Sequence, residues 1–338
     1  MAARLRDVAE RAGVSIRTVS NVVNGYAHVS EPKRTRVEAA VAELGYTPNV
    51  MARNLKNGRT GLIALVVPEL DVAYFAELAR AVVTTAREHG FTVVVDQTDG
   101  EPGRERELIG RDGSPTMFDG VILSPLALTQ DDLARRDANR PLVLLGERIA
   151  DSDYDHVAID NVAAAREATT HLLDLGRRRV AAIGDQPYDT GETAQLRTRG
   201  YKLAHADRGL QVDESLIVPI PRFHYDDGLR AMQQLLDAPG GRPDAVFCFN
   251  DLVALGAMRA IHLAGLSVPG DIAVVGFDDV EAGQFNTPSL TTIAPDKQAI
   301  ARLAIERMVA RLGNGADEAP AELWAPWKLV VRESSSGY

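Results

Sequence analysis

The chain has 338 residues, 45% of them apolar and 25% charged, with a net charge of -10. That balance is globular and leaves room for two or three domains. No apolar run reaches the ~20 residues of a membrane span and no signal-peptide core opens the chain, so a cytoplasmic protein without membrane attachment is expected.

The acidity is uneven. Residues 1–60 hold ten Lys/Arg against five acids, +5, which leaves -15 for the remainder. A basic head on an acidic body suits a nucleic-acid module joined to something that does not itself adhere to DNA. Leu5, Val8, Ala9 and Ala12 recur at i, i+3, i+4 and i+7, one apolar helical face. Gly13 can take the positive φ that ends a helix, and Ser15 can cap the next. Val19, Val22 and Val23 give that second helix its buried face, which leaves Ile16, Arg17, Thr18 and Asn21 pointing outward at its N-terminal end. A helical hairpin inside a core would share the apolar pattern. The turn chemistry and the outward Arg/Asn pair are what a base-reading helix needs. Ser30 and Pro32 open a third helix with Val37, Ala40, Val41 and Leu44 on one face, closed at Gly45 to Pro48. Asn49 to Gly58 holds about two helical turns, too few to be stable alone in water. It is therefore a linker, or a helix that forms only against a partner.

From Gly61 the pattern is strand and helix in alternation. Leu62 to Val67, Phe91 to Asp96, Gly120 to Ser124, Pro141 to Gly146 and His156 to Asp160 read as the strands of a first set. Val180 to Gly184, Leu216 to Pro219, Ala245 to Phe249 and Ile272 to Phe277 form a second. Continuous apolar strands separated by helices mean parallel sheets with right-handed crossovers, and two sets make two lobes. Leu290 to Ile293, a helix Lys297 to Leu312 and a strand Leu323 to Val331 remain to complete both sheets. The single cysteine, Cys248, lies in the run Ala245 to Phe249 and reads as a buried, inert thiol. The fold class expected is α/β: a three-helix helix-turn-helix head and hinge helix, then a two-lobed body with parallel sheets. The expected domains are a head at 1–48, a hinge at 49–60 and a ligand-binding, dimerising body at 61–338. Lobe one takes about 61–160 plus 292–322, and lobe two about 161–291 plus 323–338.

Asp7-Val8-Ala9, Ala12-Gly13-Val14-Ser15, Thr18-Val19-Ser20 and Val22-Val23-Asn24 resemble the DNA-binding head of the lactose/galactose repressor family. So does Glu43-Leu44-Gly45-Tyr46-Thr47-Pro48-Asn49. The resemblance runs on through Tyr74-Phe75-Ala76-Glu77, Arg197-Thr198-Arg199-Gly200-Tyr201, Phe249-Asn250-Asp251 and Val275-Gly276-Phe277-Asp278-Asp279. It implies a homodimeric regulator of transcription that answers a small effector, with a body like a periplasmic sugar-binding protein. On the matching positions, Ile16, Arg17 and Asn21 read bases of a double-stranded, palindromic operator, and Ser20, Asn24 and His28 contact phosphate. Met51, Ala52, Leu55 and Lys56 belong to the hinge. Leu55 is the apolar wedge that parts a minor-groove base step, and Met51 faces the partner's hinge.

For the effector, the resemblance picks Arg197, whose fork can hold two hydroxyls or a carboxylate, and Phe223, whose ring stacks on the ligand. Asn250, Asp251 and Asp278 end strands where open sheets place ligand groups, as does Ser124 in the first set. Asp251 also suits a cap for the helix that follows. Tyr74 and Phe75 open a helix at the cleft edge, with Asp71 just before them. Carboxylates, an Arg, an Asn and aromatics suit a polyhydroxylated ring, and the effector classes left open are a sugar, a sugar phosphate or a purine. Ala294-Pro295 stands where relatives often carry Gln, and no leucine heptads follow Ser334. No Gly-x-Gly-x-x-Gly, Walker loop, His-Glu-x-x-His or clustered Cys/His occurs, so no enzyme, cofactor or metal is expected.

Overall fold

The computed structural model describes residues 3–23, 28–46, 59–110, 117–136, 140–149, 153–188, 190–313 and 318–336. They fall into two units, Met1–Thr60 and Gly61–Tyr338. In the first unit, α1 (Leu5–Ala12), α2 (Ile16–Val23) and α3 (Glu31–Leu44) enclose Val8, Ala9, Ala12, Val19, Val22, Val37 and Ala40. Gly13 ends α1 at φ +62°, where the Val14 N–H donates to the Ala9 carbonyl at 3.1 Å. That geometry strains any residue with a Cβ, which is why glycine stands there. Ser15 Oγ accepts from the Thr18 N–H at 3.2 Å and so starts α2. Ser30 occupies the cap position of α3 but its hydroxyl makes no capping bond. Pro32 in the first turn has no N–H to offer it.

The second unit is built on two six-stranded sheets. Sheet one contains β1 (Leu62–Val67), β2 (Thr92–Gln97), β3 (Gly120–Leu123), β4 (Leu142–Leu145) and β5 (Asp155–Ala158). Sheet two contains β6 (Val180–Asp185), β7 (Ile217–Pro219), β8 (Ala245–Cys248), β9 (Ala273–Phe277) and β10 (Thr291–Pro295). The tail adds β11 (Glu322–Trp324) to sheet one and β12 (Trp327–Val330) to sheet two. The orders are β11-β5-β4-β3-β1-β2 and β12-β10-β9-β8-β6-β7. The two lobes are therefore wound alike. All pairings are parallel except β10 with β12. Strands β3, β4, β8 and β9 are buried end to end, as sheets covered by helices on both faces require. Cys248 is among them, and burial raises its thiol pKa far above the ordinary value.

The tail departs from the expected lobe boundaries. β10, expected mostly with lobe one, pairs with β9 in sheet two, while the helix Lys297–Leu312 packs on β3, β4 and β5. The strand expected over 323–331 is two strands, broken at Ala325-Pro326. Proline has no ladder donor, so pairing stops and the chain crosses between lobes there. Three crossings thus run side by side, after β5, after β10 and between β11 and β12. The Ala325 N–H donates to the Ala158 carbonyl at 2.8 Å and the Asp296 N–H to the Pro326 carbonyl at 2.9 Å. Asp155, on β5, is buried and holds the returning chain by accepting from Arg307 Nε (2.9 Å), Arg311 Nε (2.6 Å) and the Ala321 N–H (3.0 Å).

Candidate functional site

Two surfaces carry chemistry, one in each unit. In the first, the N-terminal end of α2 leaves Ile16 50% exposed, an apolar side chain with no core to enter. Arg17 beside it and His28 beyond α2 are exposed, while Thr18, Ser20 and Asn21 are half-buried. Thr18 Oγ1 lies 2.9 Å from Ser15 Oγ, so its hydroxyl already serves the turn. Asn24, Met51, Ala52, Leu55 and Lys56 lie outside the described residues.

In the second unit, the strand order reverses at β1/β3 and again at β6/β8, and a crevice opens beyond the carboxyl ends of strands at such points. A cavity of about 330 Å³ lies there. Glu69 follows β1, Ser124 follows β3, Glu147 follows β4, Gln186 follows β6, Asn250 follows β8 and Asp278 follows β9, and all six line it. Tyr74, Phe75, Phe223 and Ile300 supply apolar wall.

Arg197, on the helix Glu192–Ala206, is at the centre and only 7% exposed. Its Nε donates to Asn161 Oδ1 at 2.8 Å, its Nη1 donates to the Phe249 carbonyl, and its guanidinium stacks 3.5 Å over the centroid of the Phe277 ring. Nη2 has no partner among the described residues. Asn161 is itself fixed, donating from Nδ2 to Glu147 Oε1 at 2.6 Å, while Thr193 donates to Glu147 Oε2 at 2.5 Å. Burial lowers the Arg197 pKa, and the carboxylates of Asp278 and Glu147 oppose that shift.

Asp278 is 6% exposed and holds a left-handed backbone at φ +113°, uncommon for any residue but glycine. Its carboxylate makes no hydrogen bond among the described residues. Burial lifts its pKa to about 7 against the pull of Arg197 and Lys297. The Tyr74 and Ser124 hydroxyls likewise have no protein partner there, and burial, with Asp278 next in effect, raises the Tyr74 pKa. A donor-only guanidinium, an acceptor carboxylate and two hydroxyls are thus held in place and left unsatisfied around one apolar-walled space. Such an array favours a ligand bearing several groups that both donate and accept.

Seven of the nine residues expected at the effector line the cavity: Tyr74, Phe75, Ser124, Arg197, Phe223, Asn250 and Asp278. Asp71 and Asp251 do not. Asp71 is exposed, because its neighbour Val72 takes the inward position against Leu252 and Val280. Asp251 is fully buried and turns back into lobe two, accepting from Thr292 Oγ1 at 2.6 Å and from the Val280 N–H at 2.8 Å. It braces the Asp278-Asp279 turn, and the cap on the helix Asp251–Leu263 is Asn250 instead, whose Oδ1 accepts from the Val253 N–H at 2.8 Å. Glu147, Gln186 and Thr193 were not anticipated. Glu147 follows Gly146 at the end of a strand legible in the sequence, the same signal that marks Ser124.

A helix-turn-helix unit in one chain with a two-lobed, periplasmic-binding-protein-like body defines a class of transcription regulator. The chain belongs to the lacI family of bacterial regulatory proteins: that family's model matches residues 4–49, and the periplasmic binding protein-like domain matches residues 169–335. It is 36% identical to the ribose operon repressor of Escherichia coli (strain K12), over 92% of this chain and 93% of that protein. Among solved structures it is similar to the lac repressor dimer bound to operator and the anti-inducer ONPF, with TM-score 0.83, 29% identity and 99% of each chain covered. It is also similar to the complex of the transcriptional regulator CelR with cellobiose, with TM-score 0.70 and 34% identity over 98% of this chain and 99% of that one.

Proposed function

We propose that this regulator is a cytoplasmic repressor that binds a palindromic operator as a homodimer and releases or tightens on it when a sugar or sugar derivative occupies the interlobe cleft. Residues 1–48 serve as the reading head, 49–60 as the hinge and 61–338 as the effector-binding and dimerising body. Ile16, Arg17 and Asn21 meet base edges, with Ser20, Asn24 and His28 on phosphates. Leu55 is the minor-groove wedge, flanked by Met51, Ala52 and Lys56. Arg197, Asp278, Asn250, Tyr74, Phe75, Ser124 and Phe223 hold the effector.

The observation that carries the effector reading is the unsatisfied polar set, Arg197 Nη2 with the Asp278 carboxylate and the Tyr74 and Ser124 hydroxyls, converging on an aromatic-walled cavity. Sugar hydroxyls satisfy donors and acceptors together, and ring C–H groups pack on Tyr74, Phe75 and Phe223. The cellobiose complex of one relative and the ribose operon controlled by another support a carbohydrate.

The test has two arms on the full chain. Operator half-sites selected from random palindromes are bound across a salt series; specific binding that falls steeply with salt is expected, and a salt-insensitive affinity would refute the DNA role. Ribose, cellobiose, their phosphates and purines are then screened by thermal shift, where a ligand at 100 times its Kd adds ~2.7 kcal/mol. Purine binding with no response to any carbohydrate would reject the sugar reading.

A further inference from the structure

We propose that Glu69 and His224 form the latch of the cleft, the contact that sets the balance between shut and open lobes. The role rests on the cavity being the effector site. The chain crossings leave sheet one at its β5/β11 edge and sheet two at its β10/β12 edge. They cannot restrain the opposite edges, where β1 and β2 lie in one lobe and β6 and β7 in the other. Glu69 follows β1, and His224 lies between β7 and the helix Tyr225–Leu236. His224 Nε2 and Glu69 Oε2 are 2.7 Å apart, with the side chains 25% and 26% exposed. At that length and burial the contact outweighs an ordinary surface pair.

Each half of the pair stands on a braced loop. The Leu70 N–H donates to Gln97 Oε1 at 3.1 Å, and Asn250 Nδ2 donates to the Phe223 carbonyl at 3.0 Å. Pro68 and Glu69 on one side and Phe223 on the other line the cavity, so the pair closes its rim. The buried contact of Val72 with Leu252 and Val280, which follow β8 and β9, and the remaining polar contacts between lobes act closer to the crossings. Glu147 with Asn161 and Thr193, and Arg148 with Glu192 at 3.6 Å, spring from the end of β4, next to β5. Glu77 accepts from the Glu281 N–H at 3.0 Å, and Lys297, which opens the helix packed on lobe one, donates to the Asp279 carbonyl at 3.0 Å; Asp279 and Glu281 both follow β9. Opening about the crossings moves the far rim most, so Glu69 and His224 have the longest lever.

The experiment uses the full chain with spin labels on Glu107→Cys and Gln234→Cys, both exposed positions. The native Cys248 is fully buried and does not compete for label. Interlobe distances are measured by double electron–electron resonance with no ligand added. Glu69→Ala and His224→Ala are each expected to raise the open-to-closed ratio about tenfold, the equivalent of one charge-assisted hydrogen bond. The double variant goes no further than either single, and the exchanged pair, Glu69→His with His224→Glu, moves the distribution back toward the parent. Unchanged distributions in both single variants overturn the latch, and so does strict additivity of the two. The thermal-shift screen of ribose, cellobiose, their phosphates and purines on the same proteins reports the effector reading separately, so either idea can fail alone.

Discussion

Asp278→Asn is expected to make the body more stable while removing its response to effector. Asp278 is buried, its carboxylate has no hydrogen-bond partner among the described residues, and burial lifts its pKa to about 7 although Arg197 and Lys297 pull it down. The folded chain therefore holds this proton more tightly than the unfolded chain does. The stability linked to the protonated group is complete below about pH 4 and is lost as pH rises through about 7. From the usual 3.8 to about 7, at ~1.4 kcal/mol for each tenfold change in proton affinity, the ionised group costs about 4 kcal/mol at pH 8. Asparagine keeps the shape, and it tolerates the φ of +113° as well as aspartate does. Urea unfolding from pH 4.5 to 8, followed by the emission of Trp324 and Trp327, reports the body alone, because those are the only two tryptophans in the chain. The variant should be about 4 kcal/mol more stable at pH 8, with the gain fading toward pH 4. A gain that does not vary with pH, or no gain at pH 8, would falsify the claim that burial of the Asp278 charge outweighs the pull of Arg197 and Lys297.

Three further outcomes are expected. Arg17→Ala should relax base choice at one position per half-site by ~1–3 kcal/mol in competition binding; a uniform loss over all positions would reassign Arg17 to phosphate. Gly256→Ala should cost about 2–3 kcal/mol in urea midpoint experiments, since a Cβ there would lie 2.0 Å from the Tyr225 carbonyl oxygen and 2.9 Å from the Leu229 nitrogen, both backbone. An unchanged midpoint would mean that the helices Tyr225–Leu236 and Asp251–Leu263 can part freely. For Asp155, burial raises the pKa, but Arg311, Arg307 and the Ala321 N–H together hold it below the usual carboxylate value. Its contribution is present above the unfolded pKa and lost as pH falls through the lower folded value. Asp155→Asn should then cost about 3 kcal/mol at pH 7, shrinking in acid; a penalty that grows on acidification contradicts the assignment.

The two-lobed fold is legible in the sequence because parallel strands covered on both faces read as unbroken runs such as Leu62 to Val67 and Ala245 to Phe249. The head is legible because its turn chemistry is local: Gly13 and Ser15 sit where the backbone demands them. Strand ends mark the cleft but do not say which way a side chain turns. Asn250 and Asp251 are neighbours, yet one lines the cavity and the other braces the turn behind it. The same ambiguity separates Asp71 from Val72. Pairings such as Glu147 with Thr193, 46 residues apart, or Glu69 with His224, 155 apart, leave no periodic trace. Which lobe receives β10 depends on its pairing with β9, and neither a strand's composition nor its length reveals its partner.

The cleft is organised so that polar groups stay fixed while unsatisfied. Arg197 is clamped by Asn161, the Phe249 carbonyl and the Phe277 ring, and Asn161 is clamped in turn by Glu147. Asp278 is held by the turn that Asp251 braces from behind through the Val280 N–H, while the neighbouring Asp279 accepts from Arg332 Nη2 at 2.6 Å. A ligand therefore meets groups that need not reorganise, which lowers the entropy lost on binding. The cost falls on the folded state, where a carboxylate at φ +113° and a buried guanidinium are kept without full partners. The well-packed remainder of the body, including the Asp155 clamp beside the crossings, offsets it. Stability and responsiveness oppose each other at Asp278, and a substitution that improves the first there removes the group through which the second acts.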